Sequence, residues 1–124
     1  MVSARELGAA GEEAAARHLR RRGMRILHRN LRLGRAGELD IVAQSRGTLV
    51  FVEVKSKLSG DPLGGLTNIT AAKQRKLAQL GALYLQQYGG GHSAVRFDAV
   101  EVEYPDETLK RPRITHLTDA FRAG

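Results

Sequence analysis

Apolar residues recur at helical spacing in two segments of the chain. The first follows Ser3, which has capping-box spacing with Glu6, and runs through alanine-rich sequence to about Arg22, just before Gly23. The second is expected from Ile69 or Thr70 to residue 88, where three glycines end it. Its predicted buried stripe consists of Leu77, Leu80, Tyr84 and Tyr88.

Five other segments have the alternation or the composition of β-strands. They are expected at residues 24–30, 38–45, 48–55, 94–104 and 113–117, with a helical turn at 118–121. Met24, Ile26 and His28 are assigned to one side of the first strand. Residues 57–67, rich in Gly, Ser, Asp and Pro, are expected to form a mobile connection. The order αβββαββ predicts one α/β domain over residues 1–124, with a mixed five-stranded sheet flanked by helices.

The second and third strands are predicted to form an antiparallel hairpin with its turn at Arg46-Gly47. If Ser45 faces Thr48, the same register places Asp40 opposite Glu53, and Glu38 opposite Lys55. Like charges directly opposed across two strands are destabilising, so the first pair would need a positive charge between its members.

A divalent cation fits this arrangement, because Mg²⁺ and Mn²⁺ prefer oxygen ligands. Asp40, Glu53 and the carbonyl of Val54 are the predicted protein ligands, and Lys55 is placed to reach a metal-bound water or a reacting phosphate. Three roles are open to Glu38: it would adjust the properties of Lys55, bind a second metal ion, or form an ion pair with Lys55. The alternative is an ordinary exposed sheet face, with Glu38–Lys55 as a surface ion pair worth about 1 kcal/mol or less.

Charge is unevenly distributed in this chain, whose formal net charge is +7. No acidic residue occurs from Ala14 to Gly37, whereas arginine is frequent there. Because arginines neutralise phosphates, this block fits a nucleic-acid partner, and it fits a merely solvated helix face equally well. The candidate phosphate contacts are Arg20, Arg21, Arg22, Arg25, Arg29, Arg32 and Arg35, together with Lys73 in the second helix.

Several classes of site are excluded or disfavoured. The chain has no cysteine, which excludes disulfides and thiolate chemistry. No apolar run is long enough for a membrane span, and we expect a cytoplasmic protein. The four histidines lack metal-ligand spacing and are expected to be ordinary surface or partly buried residues. Asp98, Glu101 and Glu103 are expected to be solvated charges on one strand.

The sequence resembles a known nuclease motif in two blocks, Gly-Glu-Leu-Asp-Ile-Val at 37–42 and Val-Phe-Val-Glu-Val-Lys-Ser-Lys at 50–57. These blocks are similar to the motif of the PD-(D/E)XK, or restriction-endonuclease-like, superfamily, with Leu39 standing where that motif has proline. More narrowly, nearly the whole chain resembles the YraN-like family of small bacterial proteins. Further matching positions are Gly8-x-x-Gly11-Glu12, Asn30-x-Arg32, Lys73, Tyr84-Leu85, Arg96-Phe97-Asp98, Ile114-x-His116 and Ala120-Phe121.

The resemblance implies a restriction-endonuclease-like core, similar to that of Holliday-junction resolvases, and metal-dependent cleavage of nucleic acid, with DNA favoured over RNA. It assigns Asp40 and Glu53 to the metal, Lys55 to catalysis, and Glu12 to the helix-borne acid of resolvase-like members. Without the resemblance, Glu12 would be read as a surface glutamate. Cutting two strands in the resolvase manner would require a homodimer.

Two other functions remain open at this stage. One is a binding module of the same fold that does not cut nucleic acid, and the other is a basic surface that meets an acidic protein.

Overall fold

The computed structural model describes residues 1–61, 69–92 and 94–122, which form one five-stranded sheet with a helix packed against each face. The α/β class and the element order αβββαββ are those predicted from the sequence. The elements are α1 (Ala4–Arg21), β1 (Arg25–Leu33), β2 (Gly37–Ser45), β3 (Thr48–Leu58), α2 (Ala71–Tyr88), β4 (Ala94–Tyr104) and β5 (Arg113–Phe121).

The sheet follows chain order, β1-β2-β3-β4-β5. Only β3 and β4 are parallel, because α2 lies in the crossover between them, and the other three pairs are antiparallel. The β2–β3 turn has positive φ at Arg46 (49°) and Gly47 (82°), the conformation that matches the twist of a two-residue hairpin. Ser45 faces Thr48, as predicted.

Side chains cap the start of both helices, and the capping box predicted for α1 is present. Ser3 Oγ accepts from the N–H of Glu6 at 3.0 Å, and Glu6 Oε1 accepts from the N–H of Ser3 at 3.1 Å, which completes the capping box. Thr70 Oγ1 accepts from the N–H of Lys73 at 3.1 Å and begins α2. α1 covers one sheet face with Ala15, Ala16 and Leu19, and α2 covers the other with Leu77, Leu80 and Tyr84.

Three strand predictions were wrong at their ends. β1 continues to Leu33, so the loop before β2 is only residues 34–36, and β3 continues to Leu58. β5 continues through Phe121 instead of forming a helical turn, because Phe121 pairs with Phe97 in the ladder and stacks on its ring. Most of the expected mobile connection, residues 62–67, lies outside the described residues.

Two side-chain assignments were also wrong. A bulge between Ile26 and His28 turns Ile26 toward α1 and His28 toward the rings of Tyr84 and Tyr88 on α2. Tyr88 does not belong to the buried stripe: it is 48% exposed at the last residue of α2.

A pair of helix glycines tests how closely α1 approaches the sheet. A Cβ at Gly11 would lie 1.7 Å from Ser56 Oγ and 2.7 Å from Ser56 Cβ, whereas a Cβ at Gly8 would meet nothing within 4 Å. Gly11→Ala is therefore expected to lower the free energy of unfolding by about 1–3 kcal/mol through overpacking. Gly8→Ala is the matched control and should raise it by about 0.5–1 kcal/mol through helix propensity. Urea denaturation of both variants measures the difference, and equal effects would mean that α1 does not pack on β3 at Gly11.

Candidate functional site

Strands β2 and β3 separate beside the predicted acidic residues. Their ladder keeps the predicted register from Ser45–Thr48 as far as Ile41–Val52 and ends there, so neither Asp40–Glu53 nor Glu38–Lys55 is among its pairs. In a continued ladder, the N–H of Val54 would bond the carbonyl of Leu39. Instead it donates to Asp40 Oδ2 at 2.9 Å. A carboxylate thus occupies the place of a main-chain carbonyl where the two strands open.

Strand β1 is irregular at the same level. The β1–β2 ladder pairs Arg29 with Ile41 and Leu31 with Leu39 but omits Asn30 and Asp40 between them. Asn30 has a φ of 51°, a left-handed conformation that asparagine tolerates better than most residues. Residues two apart on a regular strand share a face, yet Ile41 packs under α1 and Leu39 under α2. The alternation of side chains along β2 is therefore interrupted at Asp40, so that residues two apart point to opposite faces of the sheet.

Three carboxylates from three elements influence one another here. The pKa of Asp40 is raised to about 7, mainly by burial and also by the charges of Glu53 and Glu12, while the hydrogen bond from Val54 and the charge of Lys73 lower it. Burial also raises the pKa of Glu12, against the favourable charge of Arg29 and a hydrogen bond from Asn30 Nδ2 to Glu12 Oε1 at 2.6 Å. The site is thus short of positive charge at Asp40.

The two predicted lysines occupy different positions. Lys73, expected to contact phosphate, places its Nζ 3.2 Å from Glu53 Oε1, in the first turn of α2. Lys55 lies two residues beyond Glu53 on the same strand and is half-buried; within residues 1–61, 69–92 and 94–122 it has no ion-pair partner. Glu38 does not pair with Lys55, because its carboxylate lies 3.9 Å from the guanidinium of Arg32, its ladder partner in β1.

The sheet divides this group of residues between its two faces. Phe51 packs under α2 and Val52 under α1, so alternation puts Glu53 and Lys55 on the α2 face with Lys73. Glu12 lies on the α1 face, where a cleft of about 610 Å³ runs along the helix. The cleft is lined by Ala4, Arg5, Leu7, Gly8, Ala9, Glu12, Asn30, Glu38, Asp40, Val54 and Ser56. Asp40, at the opening between β2 and β3, is the carboxylate that joins the two sides.

The donor atoms fit a hydrated Mg²⁺ or Mn²⁺ better than a closed metal cage. Among the described residues, no three His, Cys, Asp or Glu side chains converge into a ready ligand set. Mg²⁺ commonly uses only one or two carboxylates and keeps several waters. Asp40 and Glu53 supply the carboxylates. The carbonyl of Val54 faces the same side as its N–H, because both groups of one residue point toward the same neighbouring strand.

Comparison with known proteins places the chain in a family. The model of "Uncharacterised protein family UPF0102" matches residues 11–102. A UPF0102 protein of Symbiobacterium thermophilum is 46% identical over 96% of this chain and 98% of its own length. UPF0102 proteins of Mycobacterium avium and Pelotomaculum thermopropionicum are 44% and 42% identical, covering 90% and 98% of this chain and 87% and 100% of their own lengths. The chain belongs to family UPF0102. The predicted YraN-like membership is thereby confirmed.

The arginines of this UPF0102 protein that were predicted to contact phosphate are exposed, as a polyanion-binding surface requires, but they do not form one patch at the carboxylates. Arg29 and Arg32 contact Glu13 and Glu38. Arg20, Arg21 and Arg22 end α1 about 13 Å along the helix axis from Glu12. Arg25 begins β1, and Arg35 lies in the turn after it.

Two residues of the cleft were missed by the sequence reasoning. Arg5 lies seven residues before Glu12, which places both on one face of α1, and it is exposed at the other end of the cleft. Asn30 positions Glu12 and marks the irregularity beside Asp40. The motif Asn30-x-Arg32 was the available signal for Asn30, whereas a single arginine in the first turn of a helix, such as Arg5, carries no signal of its own.

A second polar cluster contradicts the expectation that Asp98 is a solvated charge, whereas His18 and His116 in it are partly buried, as expected. Asp98 is 1% exposed and accepts hydrogen bonds from Arg96, from His116 Nε2 at 2.8 Å and from the N–H of Asp119. His116 Nδ1 lies 3.0 Å from His18 Nε2 on α1. Burial would raise the pKa of Asp98, but these hydrogen bonds lower it on balance. The cluster ties α1 to β4 and β5. Glu101 and Glu103 are half-buried.

In the described part of the chain, neither helix has the length and apolar character that crossing a membrane requires.

The raised pKa of Asp40 predicts a pH-dependent stability. The ionised form is disfavoured in the folded state, so its cost is largest above pH 7 and decreases as the pH falls toward the ordinary value of 3.8. Asp40→Asn keeps an oxygen that can accept from Val54 and removes the charge. It should raise the free energy of unfolding at pH 8 by about 1–3 kcal/mol without divalent metal.

Urea denaturation between pH 4 and 8 measures this difference. The advantage of Asp40→Asn over the native protein should narrow below pH 7 and vanish near pH 4. Glu107→Gln, at a carboxylate that is 52% exposed, is the control and should show no such trend. A constant difference across this range would mean that the charge of Asp40 carries no penalty in the folded state.

Proposed function

We propose that this UPF0102 protein is a nucleic-acid-binding protein and an Mg²⁺- or Mn²⁺-dependent endonuclease acting on branched or otherwise structured DNA. The observation that supports this most directly is the environment of Asp40. Its carboxylate is held by one main-chain N–H, beside two further carboxylates, with a pKa raised to about 7. If position 40 served only to stabilise the fold, a neutral side chain would serve better than a carboxylate. A residue that binds a cation must instead be able to carry a negative charge.

Asp40 and Glu53 would hold the metal, with the carbonyl of Val54 as a third ligand and Glu12 completing the site from α1. When bound, the metal supplies polarisation of a phosphoryl oxygen and a lower pKa of a bound water. The Val54 N–H leaves Asp40 Oδ1 available, and Lys73 contacts only Oε1 of Glu53. Within the described ranges, each of these two carboxylates therefore retains one oxygen for a ligand.

The remaining side chains position and stabilise charge. Lys55, unpaired within the described residues and on the same face as Glu53, would donate to the attacking water or to the charge developing on the phosphate. Lys73 orients Glu53 through its ion pair. Arg5, at the far end of the cleft from Glu12, would bind a neighbouring phosphate of the same strand.

Nucleic-acid binding without cleavage is the second candidate. It is favoured by the absence of a converged three-ligand group among the residues that the structure describes. In this case the exposed arginines would bind phosphate as proposed, and the carboxylates would contribute nothing to binding or turnover.

Cleavage assays separate the two candidates. Supercoiled plasmid, single-stranded DNA and a four-way junction are incubated with purified protein and Mn²⁺. Asp40→Asn is expected to lower the cleavage rate at least about 100-fold, because it removes a metal ligand and leaves the Val54 contact. Binding to the same DNA in EDTA should change less than about threefold. Glu107→Gln is the matched carboxylate control and should cleave like the native protein. Cleavage that survives Asp40→Asn would assign the activity to another site or to a contaminant.

Salt dependence tests the phosphate contacts independently of catalysis. The slope of log K against log salt is about 0.9 in magnitude for each phosphate neutralised on duplex DNA. Replacing Arg20, Arg21 and Arg22 by alanine should reduce this slope by about 1–3 and weaken binding to all DNA sequences alike. Replacing Lys110, Arg111 and Arg113 removes the same formal charge near β5 and should leave the slope nearly unchanged. Equal effects of the two triple variants would mean that net charge alone attracts DNA.

A further inference from the structure

Three aromatic rings meet at the edge of the sheet on the α2 face. The ring centroid of Tyr88 lies 4.8 Å from that of Tyr84, with the rings nearly parallel at 18°. His28, on edge strand β1, lies 4.9 Å from Tyr88 and 5.4 Å from Tyr84. We call His28, Tyr84 and Tyr88 the aromatic platform.

Tyr88 is the exposed member of the platform. Tyr84 is only 3% exposed and packs edge-on against Phe51 of the core, so it fixes the ring that stacks on it. Tyr88 is 48% exposed although one of its faces covers Tyr84. About half of Tyr88 is thus accessible to solvent while Tyr84 and His28 hold its ring in place. A ring held by two neighbours loses little conformational freedom when a planar ligand stacks on it.

Positive charge lies beside the platform. Arg25 is exposed on β1, opposite Gln44, whose alternation with Val42 places both on the α2 face with His28. Arg46 is exposed in the adjacent hairpin turn. Neither guanidinium has an ion-pair partner among residues 1–61, 69–92 and 94–122. An aromatic face with free arginines beside it matches the way proteins bind single-stranded nucleic acid.

One member of the platform, His28, lies near the carboxylates. His28 lies two residues along β1 from Asn30, the residue across from Asp40, a separation of about 7 Å. It shares the α2 face with Glu53 and Lys55. We propose that Tyr88 stacks on an unpaired base of the nucleic acid, within one or two nucleotides of the strand held at Asp40. Bases inside a duplex are already stacked on each other, so the platform selects single-stranded or flapped substrates.

This inference rests on the proposed function for the identity of the ligand, but binding without metal tests it separately. Labelled 15-nucleotide oligothymidine and a 15-base-pair duplex are titrated in EDTA and followed by fluorescence anisotropy. Tyr88→Ala should weaken binding to the single strand by about 5- to 100-fold, the range expected for one stacked base. Duplex binding should change less than about twofold.

Two further variants test whether the aromatic ring of Tyr88 causes the loss of single-strand binding. Tyr88→Phe keeps the ring and should bind the single strand like the native protein. Leu85→Ala removes another exposed apolar side chain of α2, which is 37% exposed, and should have no effect. Thermal melting of each variant checks that the fold is retained.

The proposal is overturned if Tyr88→Ala weakens both DNAs equally or neither, or if the native protein binds neither. It is also overturned if the native protein self-associates in sedimentation and Tyr88→Ala abolishes that, since the ring would then contact a second copy. If the protein binds single-stranded DNA selectively through Tyr88 but shows no Mn²⁺-dependent cleavage, the endonuclease proposal is wrong and the stacking proposal stands. If Asp40→Asn abolishes cleavage and Tyr88→Ala leaves it unchanged, the endonuclease proposal stands and the stacking proposal is wrong.

Discussion

The hydrogen bond from the Val54 N–H to Asp40 is the interaction on which the rest of the site depends. It replaces the ladder bond that Leu39 would make, so that the part of β2 before Ile41 separates from β3 without leaving an unsatisfied donor. The separation creates the opening where the cleft under α1 meets the face carrying Glu53 and Lys55. A residue without a side-chain acceptor at position 40 would leave this N–H unpaired or draw the strands together.

The same interaction brings an electrostatic cost, because the acceptor that replaces the carbonyl carries a full charge. Asn30, Arg29 and Lys73 each contact one of the neighbouring carboxylates, yet none of them contacts Asp40 directly. The chain therefore neutralises the surroundings of the site and leaves its centre negative. Local conflict of this kind is expected where function competes with stability, and elsewhere the sheet and both helices follow their sequence preferences closely.

The sequence was sufficient to predict what local patterns control. Capping residues, glycines and alternation gave both helices, the hairpin turn and the register near it. The assumed continuation of that register, together with the resemblance, gave Asp40, Glu53 and Lys55. Alternation could not predict the exchange of faces at Asn30 and Asp40, because that depends on a backbone conformation and on a partner in α1. The exposure of Tyr88 was missed for a related reason: helical periodicity predicts a direction but does not show where the sheet beneath the helix ends.

Two buried aspartates on one sheet provide an internal comparison. Asp98 accepts from a guanidinium, an imidazole and a main-chain N–H, and its pKa is lowered despite complete burial. Asp40 is less buried, accepts from one main-chain N–H, and its pKa is raised to about 7 by burial and by two like charges. Burial alone therefore does not explain the state of Asp40, since the same fold satisfies a more deeply buried carboxylate. What distinguishes the two is the missing cation, which makes Asp98 a structural link between α1 and the strands and Asp40 the residue from which a ligand would gain most.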